Sequence, residues 1–128
     1  MILLDTHVYL FAAYDPSRLS PRARRILASR ENQFVWSTAS TWELAIKVRL
    51  GRVDLPASAL DRLPEGLAEL QARILPVSQA HALRVATLPD VHADPFDRLL
   101  VAQALVEGCV VLTSDASIPK YPGVDARW

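Results

Sequence analysis

Five acids stand at places where carboxylates could gather around a divalent cation: Asp5, Glu43, Asp94, Asp97 and Asp115. Asp5 ends the apolar run "MILLD", and Asp115 ends a second one, "CVVLTSD". Asp94 and Asp97 stand three apart in "HADPFDRLLVAQA", around Pro95 and Phe96. Glu43 lies inside "TASTWELAIKVRLG". Carboxylates brought together repel, by about 4 kcal/mol for a pair at about 4 Å and an effective dielectric of about 20. A cation removes that penalty. Oxygen donors without a Cys pair or an HExxH motif suit Mg²⁺ or Mn²⁺. Such an ion acidifies a bound water and stabilises charge on a phosphoryl oxygen, so phosphodiester hydrolysis is the chemistry that follows.

Each acid also has a purely structural reading. Asp5 can cap the helix after it. Ser40-Thr41-Trp42-Glu43 matches a capping box, and Glu43 stands four before Lys47, a common helix-surface pair. Asp94 before Pro95 is the best cap candidate in the chain, and Asp97 in the first turn gains from the helix dipole. Asp115 fits a turn. On these readings Asp94 is the helix cap, and Asp97 stays open between helix-dipole support and a place in an acid cluster.

The elements that must aim these acids alternate. "MILLD" reads as a buried strand and "THVYLFAAY" as a helix capped by Asp5 or Thr6. Ser20 and Pro21 open a helix to about residue 30, "QFVWS" is a second strand, and "TASTWELAIKVRL" is a helix stopped by Gly51. "VDLP" is a break or a short extended piece. Residues 57–72 are helical, with Pro64 splitting them in two. "RILPV" is a third strand, and "SQAHALRVATL" is a serine-capped helix closed by Pro89. "PFDRLLVAQALVEG" is a helix that Gly108 stops, "CVVLT" a buried strand and "VDARW" a last edge strand. Short strands apolar on both faces, alternating with helices, predict a parallel sheet covered on both sides. Ligands of such sheets bind beyond the carboxyl ends of the strands, where Asp5 and Asp115 fall.

In this order and spacing, "LLDTHVYLF", "STASTWELAIKVRLGRVDLP", "HADPFDRLLVAQA" and "VVLTSDASIPKYPGVDARW" resemble the PIN-domain ribonucleases, in particular the VapC-type toxins of type II toxin–antitoxin pairs. The resemblance covers residues 1–128 as a single domain. It implies a three-layer α/β/α sandwich around a mainly parallel sheet. It implies an endoribonuclease that uses Mg²⁺ or Mn²⁺ and cuts structured RNA at single-stranded positions. The family's acidic quartet falls on Asp5, Glu43, Asp97 and Asp115, with supporting hydroxyls at Thr6 and at Thr113 or Ser114. Asp5 and Asp97 would hold the principal ion, with Asp115 close by and Glu43 orienting water or completing a second site. A cognate antitoxin and a homodimer are the implied partners, with "YLFAAY" either at the dimer contact or in the core.

Composition bounds these readings. Of 128 residues, 51% are hydrophobic and 22% charged, a globular and not a disordered balance. The formal net charge is zero, which argues mildly against a pure nucleic-acid binder. The basic residues are nonetheless grouped: Arg18, Arg22, Arg24, Arg25 and Arg30 in one segment, Lys47, Arg49 and Arg52 in another. These segments are candidates for backbone phosphates, and each arginine equally fits a solvated helix face. One cysteine, Cys109, excludes a disulfide within the chain and points to a buried, inert thiol. No stretch reads as membrane-spanning or as a cleaved leader, so a cytoplasmic protein is expected.

Other residues carry less. His7 beside Asp5 reads as structural or surface, and His81 and His92 have no partner at ligand spacing. Trp36 and Trp42 are expected in the core. A haloacid-dehalogenase-type phosphatase needs an acid two residues after the first, where His7 stands, and "TSDASIPK" supplies the lysine of a receiver domain poorly. The main alternative is a non-catalytic module binding RNA or antitoxin, whose acids only cap helices.

Overall fold

In the computed structural model, residues 1–52 and 54–128 are described; Val53, within the "VDLP" stretch, lies outside them. Strand β1 (Ile2–Leu4) leads into helix α1 (Thr6–Tyr14), and α2 (Pro21–Ala28) leads to β2 (Phe34–Ser37) and α3 (Thr38–Arg49). Helix α4 (Ala59–Glu69), β3 (Arg73–Leu75) and α5 (Gln79–Val85) follow. The chain closes with α6 (Pro95–Glu107), β4 (Val110–Leu112) and β5 (Ala126–Arg127). Among the described residues the strands form one sheet in the order β3-β2-β1-β4-β5, and every pairing is parallel. "VDARW" does supply the edge strand.

Apolar residues on both strand faces build two cores, because successive side chains point to opposite sides. Leu4, Trp36 and Leu112 face α1, α2 and α4, packing with Val8, Phe11 and Leu63. Leu3, Val35 and Val111 face the other way, onto Leu100, Val101 and Ile118. The result is the expected three-layer α/β/α sandwich.

Local signals set most boundaries. Ser20 caps α2, its hydroxyl accepting from Ala23 N–H at 3.0 Å, with Pro21 in the first turn. Gly108 ends α6 at φ 66°, the left-handed conformation that costs glycine least.

Three expectations are corrected. Helix α4 is continuous through Pro64 rather than split. Leu63 and Leu67 are buried on either side of the proline, and that packing holds the helix together despite the lost backbone bond. Helix α5 ends at Val85, well before Pro89. Trp42 is 61% exposed, whereas Trp36 is fully buried as expected. Gly66 had no assigned purpose: it lies against the Tyr9 hydroxyl, where a Cβ would collide. Among the described residues, no helix is long and apolar enough to cross a membrane.

Candidate metal centre

The chain runs outward from β1 to β2 and β3, then returns to place β4 on the other side of β1. A crevice opens where the direction reverses, beyond the carboxyl ends of β1 and β4. Asp5 and Thr113 are the first residues past those two ends.

Asp5 takes the capping role that its position at the strand end suggests. Its Oδ1 accepts from His7 N–H at 3.1 Å and so caps α1. Its Oδ2 accepts from the Thr113 hydroxyl at 2.5 Å. The side chain is buried, which by itself pushes its pKa up. Hydrogen bonds from His7 and Thr113 outweigh that and hold Asp5 below the usual carboxylate range. The His7 imidazole, 3.5 Å away, is in turn raised by Asp5.

Glu43 is not the acid of a capping box. Helix α3 starts earlier than that motif requires: Ser37 caps it, accepting from Ala39 N–H at 3.0 Å. Glu43 therefore sits a turn further in, buried at 5% exposure. Its Oε2 accepts from Thr6 Oγ1 at 2.7 Å, and its Oε1 pairs with Lys47 at 2.5 Å. The Lys47 pair was expected as a surface contact; with Glu43 buried, it is an anchor instead.

Asp94 caps α6, accepting from Phe96 N–H at 2.8 Å. Asp97, in the same first turn, is half-buried and pushed up to about 6. Burial is the largest cause and the Asp94 charge the next; Asp5 and Glu43 add to it, and only His92 opposes. Asp97 thus lies within electrostatic reach of all three acids.

Asp115 accepts from Ser117 N–H at 2.7 Å through Oδ1 and from His92 Nε2 at 2.6 Å through Oδ2. One ligand atom each from His92, Asp97 and Asp115 lie within 4.8 Å of one another. Thr113 joins Asp115 to Asp5, because its Oγ1 also accepts from Asp115 N–H at 3.0 Å. Of the two hydroxyls left open by the sequence, Thr113 is buried and makes these bonds, while Ser114 is exposed.

Two features escaped the sequence reading. His92 touches Asp115 across 23 residues of chain, a distance no local spacing signals. Trp42, next to Glu43, stands edge-on to Phe96, next to Asp97, with ring centroids 5.2 Å apart. His81 is buried instead, closing the cap of α5 and bonding Glu107 at 2.8 Å. Arg18 stacks over Phe11 at 4.2 Å, while Arg22, Arg24, Arg25, Arg30, Arg49 and Arg52 are exposed. Cys109 is buried, and that burial raises its thiol pKa, as an inert cysteine requires.

The donors suit a hard divalent cation. The acids Asp97 and Asp115 offer carboxylate oxygens within 4.8 Å of each other, the hard donors that Mg²⁺ and Mn²⁺ prefer.

The parallel sheet and the acids beyond its central strands define an α/β/α domain with a candidate metal site at its switch point. The PIN domain family model matches residues 2–124. Ribonuclease VapC22 of Mycobacterium tuberculosis is 31% identical over 121 residues, covering 94% of this chain and 91% of the relative. The chain belongs to the PIN-domain family and is of the VapC type. Similar solved structures include VapBC2 from Rickettsia felis bound to a DNA fragment from its promoter, at a TM-score of 0.75 and 17% identity, over 99% of this chain and 98% of that one. A toxin–antitoxin complex from Klebsiella pneumoniae gives a TM-score of 0.66 at 18% identity, over 97% and 95% of the two chains. FitAcB from Neisseria gonorrhoeae gives 0.64 at 23% identity, over 98% and 96%. At these identities the likeness is one of fold.

Proposed function

We propose that this chain is an endoribonuclease toxin that requires Mg²⁺ or Mn²⁺, cuts structured RNA at single-stranded positions, and is silenced by a cognate antitoxin. The observation that carries the reading is the convergence of Asp97 and Asp115, whose ligand atoms lie within 4.8 Å of each other, with Asp5 tied to Asp115 through Thr113. Carboxylates gathered in this way suit a divalent cation.

Asp5, Asp97 and Asp115 would hold the ion, which when bound supplies an acidified water and charge stabilisation on the scissile phosphate. The protein's own groups do the aiming. Thr113 fixes one oxygen of Asp5 and steadies the Asp115 backbone. Thr6 and Lys47 each take one oxygen of Glu43, and the remaining lone pairs can accept from an attacking water. Exposed arginines of α2 and the end of α3 are available to backbone phosphates.

The antitoxin is supported by the fold shared with chains solved in toxin–antitoxin complexes. A homodimer belongs to the same reading. Tyr9 and Phe11 of the "YLFAAY" stretch are buried in the chain's own core, which leaves its exposed Ala13 and the half-buried Tyr14 for a partner.

Cleavage of a labelled structured RNA tests this. Activity with Mn²⁺ is expected, abolished by EDTA and by Asp97→Asn. Undiminished activity in Asp97→Asn would remove the assigned site, and a metal-independent cut would remove the mechanism.

A further inference from the structure

His92 belongs to neither the acidic quartet nor its supporting hydroxyls, yet both nitrogens of its ring are held by polar partners. Its Nε2 lies 2.6 Å from Asp115 Oδ2 and its Nδ1 2.7 Å from the Tyr121 hydroxyl. The His92 backbone N–H also donates to that hydroxyl at 3.1 Å, and the two rings are nearly parallel at 9°. Tyr121 is 1% exposed and so cannot move with solvent. The loop that carries His92 is clamped by Arg98. Its Nη1 donates to the carbonyls of Pro89 at 2.8 Å and His92 at 3.4 Å, and its Nη2 to Leu88 at 3.2 Å.

These contacts point to one tautomer of the ring. An ionised carboxylate only accepts, so Nε2 must carry the hydrogen that points at Asp115. In the neutral ring Nδ1 is then bare and accepts from Tyr121 O–H. The nitrogen nearest the acids is therefore a donor with its lone pair committed to the N–H bond, not a free metal ligand.

We propose that His92 is a positioning residue: held by Tyr121 and the Arg98 clamp, it fixes the orientation of Asp115 and through it the affinity of the acid cluster for a divalent cation. The proposal deepens the nuclease reading and rests on it, because Asp115 matters in this way only if the acids bind metal. Outer partners that orient a ligand in this manner typically change metal affinity by about 10–100-fold when removed.

Two measurements test it. In the metal-free protein at about pH 8, above the ordinary imidazole range, ¹⁵N-edited NMR of the His92 ring should show a protonated Nε2 and a bare Nδ1. Asp115→Asn, whose amide can donate as well as accept, should admit the other tautomer. Free Mn²⁺ counted by EPR should then show about tenfold weaker binding for His92→Phe. His92→Gln, whose amide N–H can reach the same oxygen, should restore most of that affinity.

The opposite tautomer in the wild type would overturn the proposal. So would wild-type Mn²⁺ affinity in His92→Phe while Asp97→Asn abolishes binding, and in that case the metal reading would survive. Directly bonded ¹⁴N in the electron-spin-echo spectrum of the Mn²⁺ protein would make His92 a ligand instead. If the wild type and Asp97→Asn both fail to bind Mn²⁺, the metal reading falls, and the positioning role with it.

Discussion

The Thr113 hydroxyl donates to Asp5 Oδ2 at 2.5 Å, joining residues 108 apart in sequence across the crevice between β1 and β4. Both groups are buried, at 3% and 6% exposure. Thr113→Val keeps the shape and removes the donor. Asp5 should then rise toward the ordinary carboxylate range, and the fold should lose about 1–3 kcal/mol, the usual cost of leaving a buried charged acceptor short of a partner. Urea unfolding of the metal-free variant measures the loss; unchanged stability would show that solvent replaces the hydroxyl.

Asp97 and Asp5 shift in opposite directions and should leave separate marks on the pH dependence of the metal-free protein. Asp97 is raised from 3.8 to about 6, so its protonated form suits the fold. That contribution is complete below about pH 4 and is lost as pH rises through about 6. At about 1.4 kcal/mol per pKa unit the loss is at most about 3 kcal/mol, and the half-exposed position reduces it. Asp5 is depressed, so its contribution is present above its unfolded value and lost only as pH falls through the lowered folded value. Asp97→Asn should therefore raise the melting temperature at neutral pH and flatten the curve between about pH 4 and 6. A lower melting temperature for this variant would contradict the crowding of Asp97.

Adding Mn²⁺ should reverse that ranking. A ligand at about 100 times its Kd stabilises the native state by about 2.7 kcal/mol. The wild type should gain this, and Asp5→Asn and Asp97→Asn should gain little. Asp94→Asn should behave like the wild type, since an asparagine side chain still caps α6. Equal Mn²⁺ shifts in all four proteins would show that the ion binds elsewhere.

Lys47 neutralises a carboxylate that is otherwise enclosed. Lys47→Met should cost about 3–5 kcal/mol if the pair acts as a fully buried one, and less because the Lys47 side chain is 28% exposed. The double variant Lys47→Met with Glu43→Gln should recover part of the loss. No recovery would mean that Lys47 supports the fold through its aliphatic stem alone.

Trp42 and Phe96 form an aromatic pair one residue from Glu43 and one from Asp97. On the nuclease reading, that pair offers a face for a base beside the scissile phosphate, where stacking contributes about 1–3 kcal/mol per base. Trp42→Ala should weaken single-stranded RNA binding to an Asp97→Asn background and leave the melting temperature nearly unchanged. Equal RNA affinity with weakened antitoxin binding would assign the pair to the protein partner instead.

The sequence shows the architecture because strands and helices announce themselves locally. "MILL", "FVW" and "VVL" are apolar throughout, and Ser20, Asp94 and Gly108 mark helix ends by their own chemistry. The roles of Asp5 and Asp94 as caps were visible for the same reason. Contacts between distant segments were not. Glu43 satisfied a local capping pattern, and only the earlier start of α3 at Ser37 shows that the pattern is coincidental. His92 meets Asp115 because α6 and the loop before it pack against the end of β4, and no spacing in the chain encodes that meeting. Pro64 broke a local rule that tertiary burial of Leu63 and Leu67 overrode.

Asp97 and Arg98 are sequence neighbours with opposed tasks: one adds negative charge to the acids, the other ties down the loop that carries His92. Successive helix residues differ in direction by about 100°. Removing a single residue between Asp94 and Asp97 would carry the guanidinium to where the carboxylate stands. The loop would lose its clamp and the acids would face a cation of the chain's own making. Reading frame along α6 is therefore under tighter constraint than composition: substitutions on its outer face can be absorbed, whereas a one-residue length change in its first turn cannot.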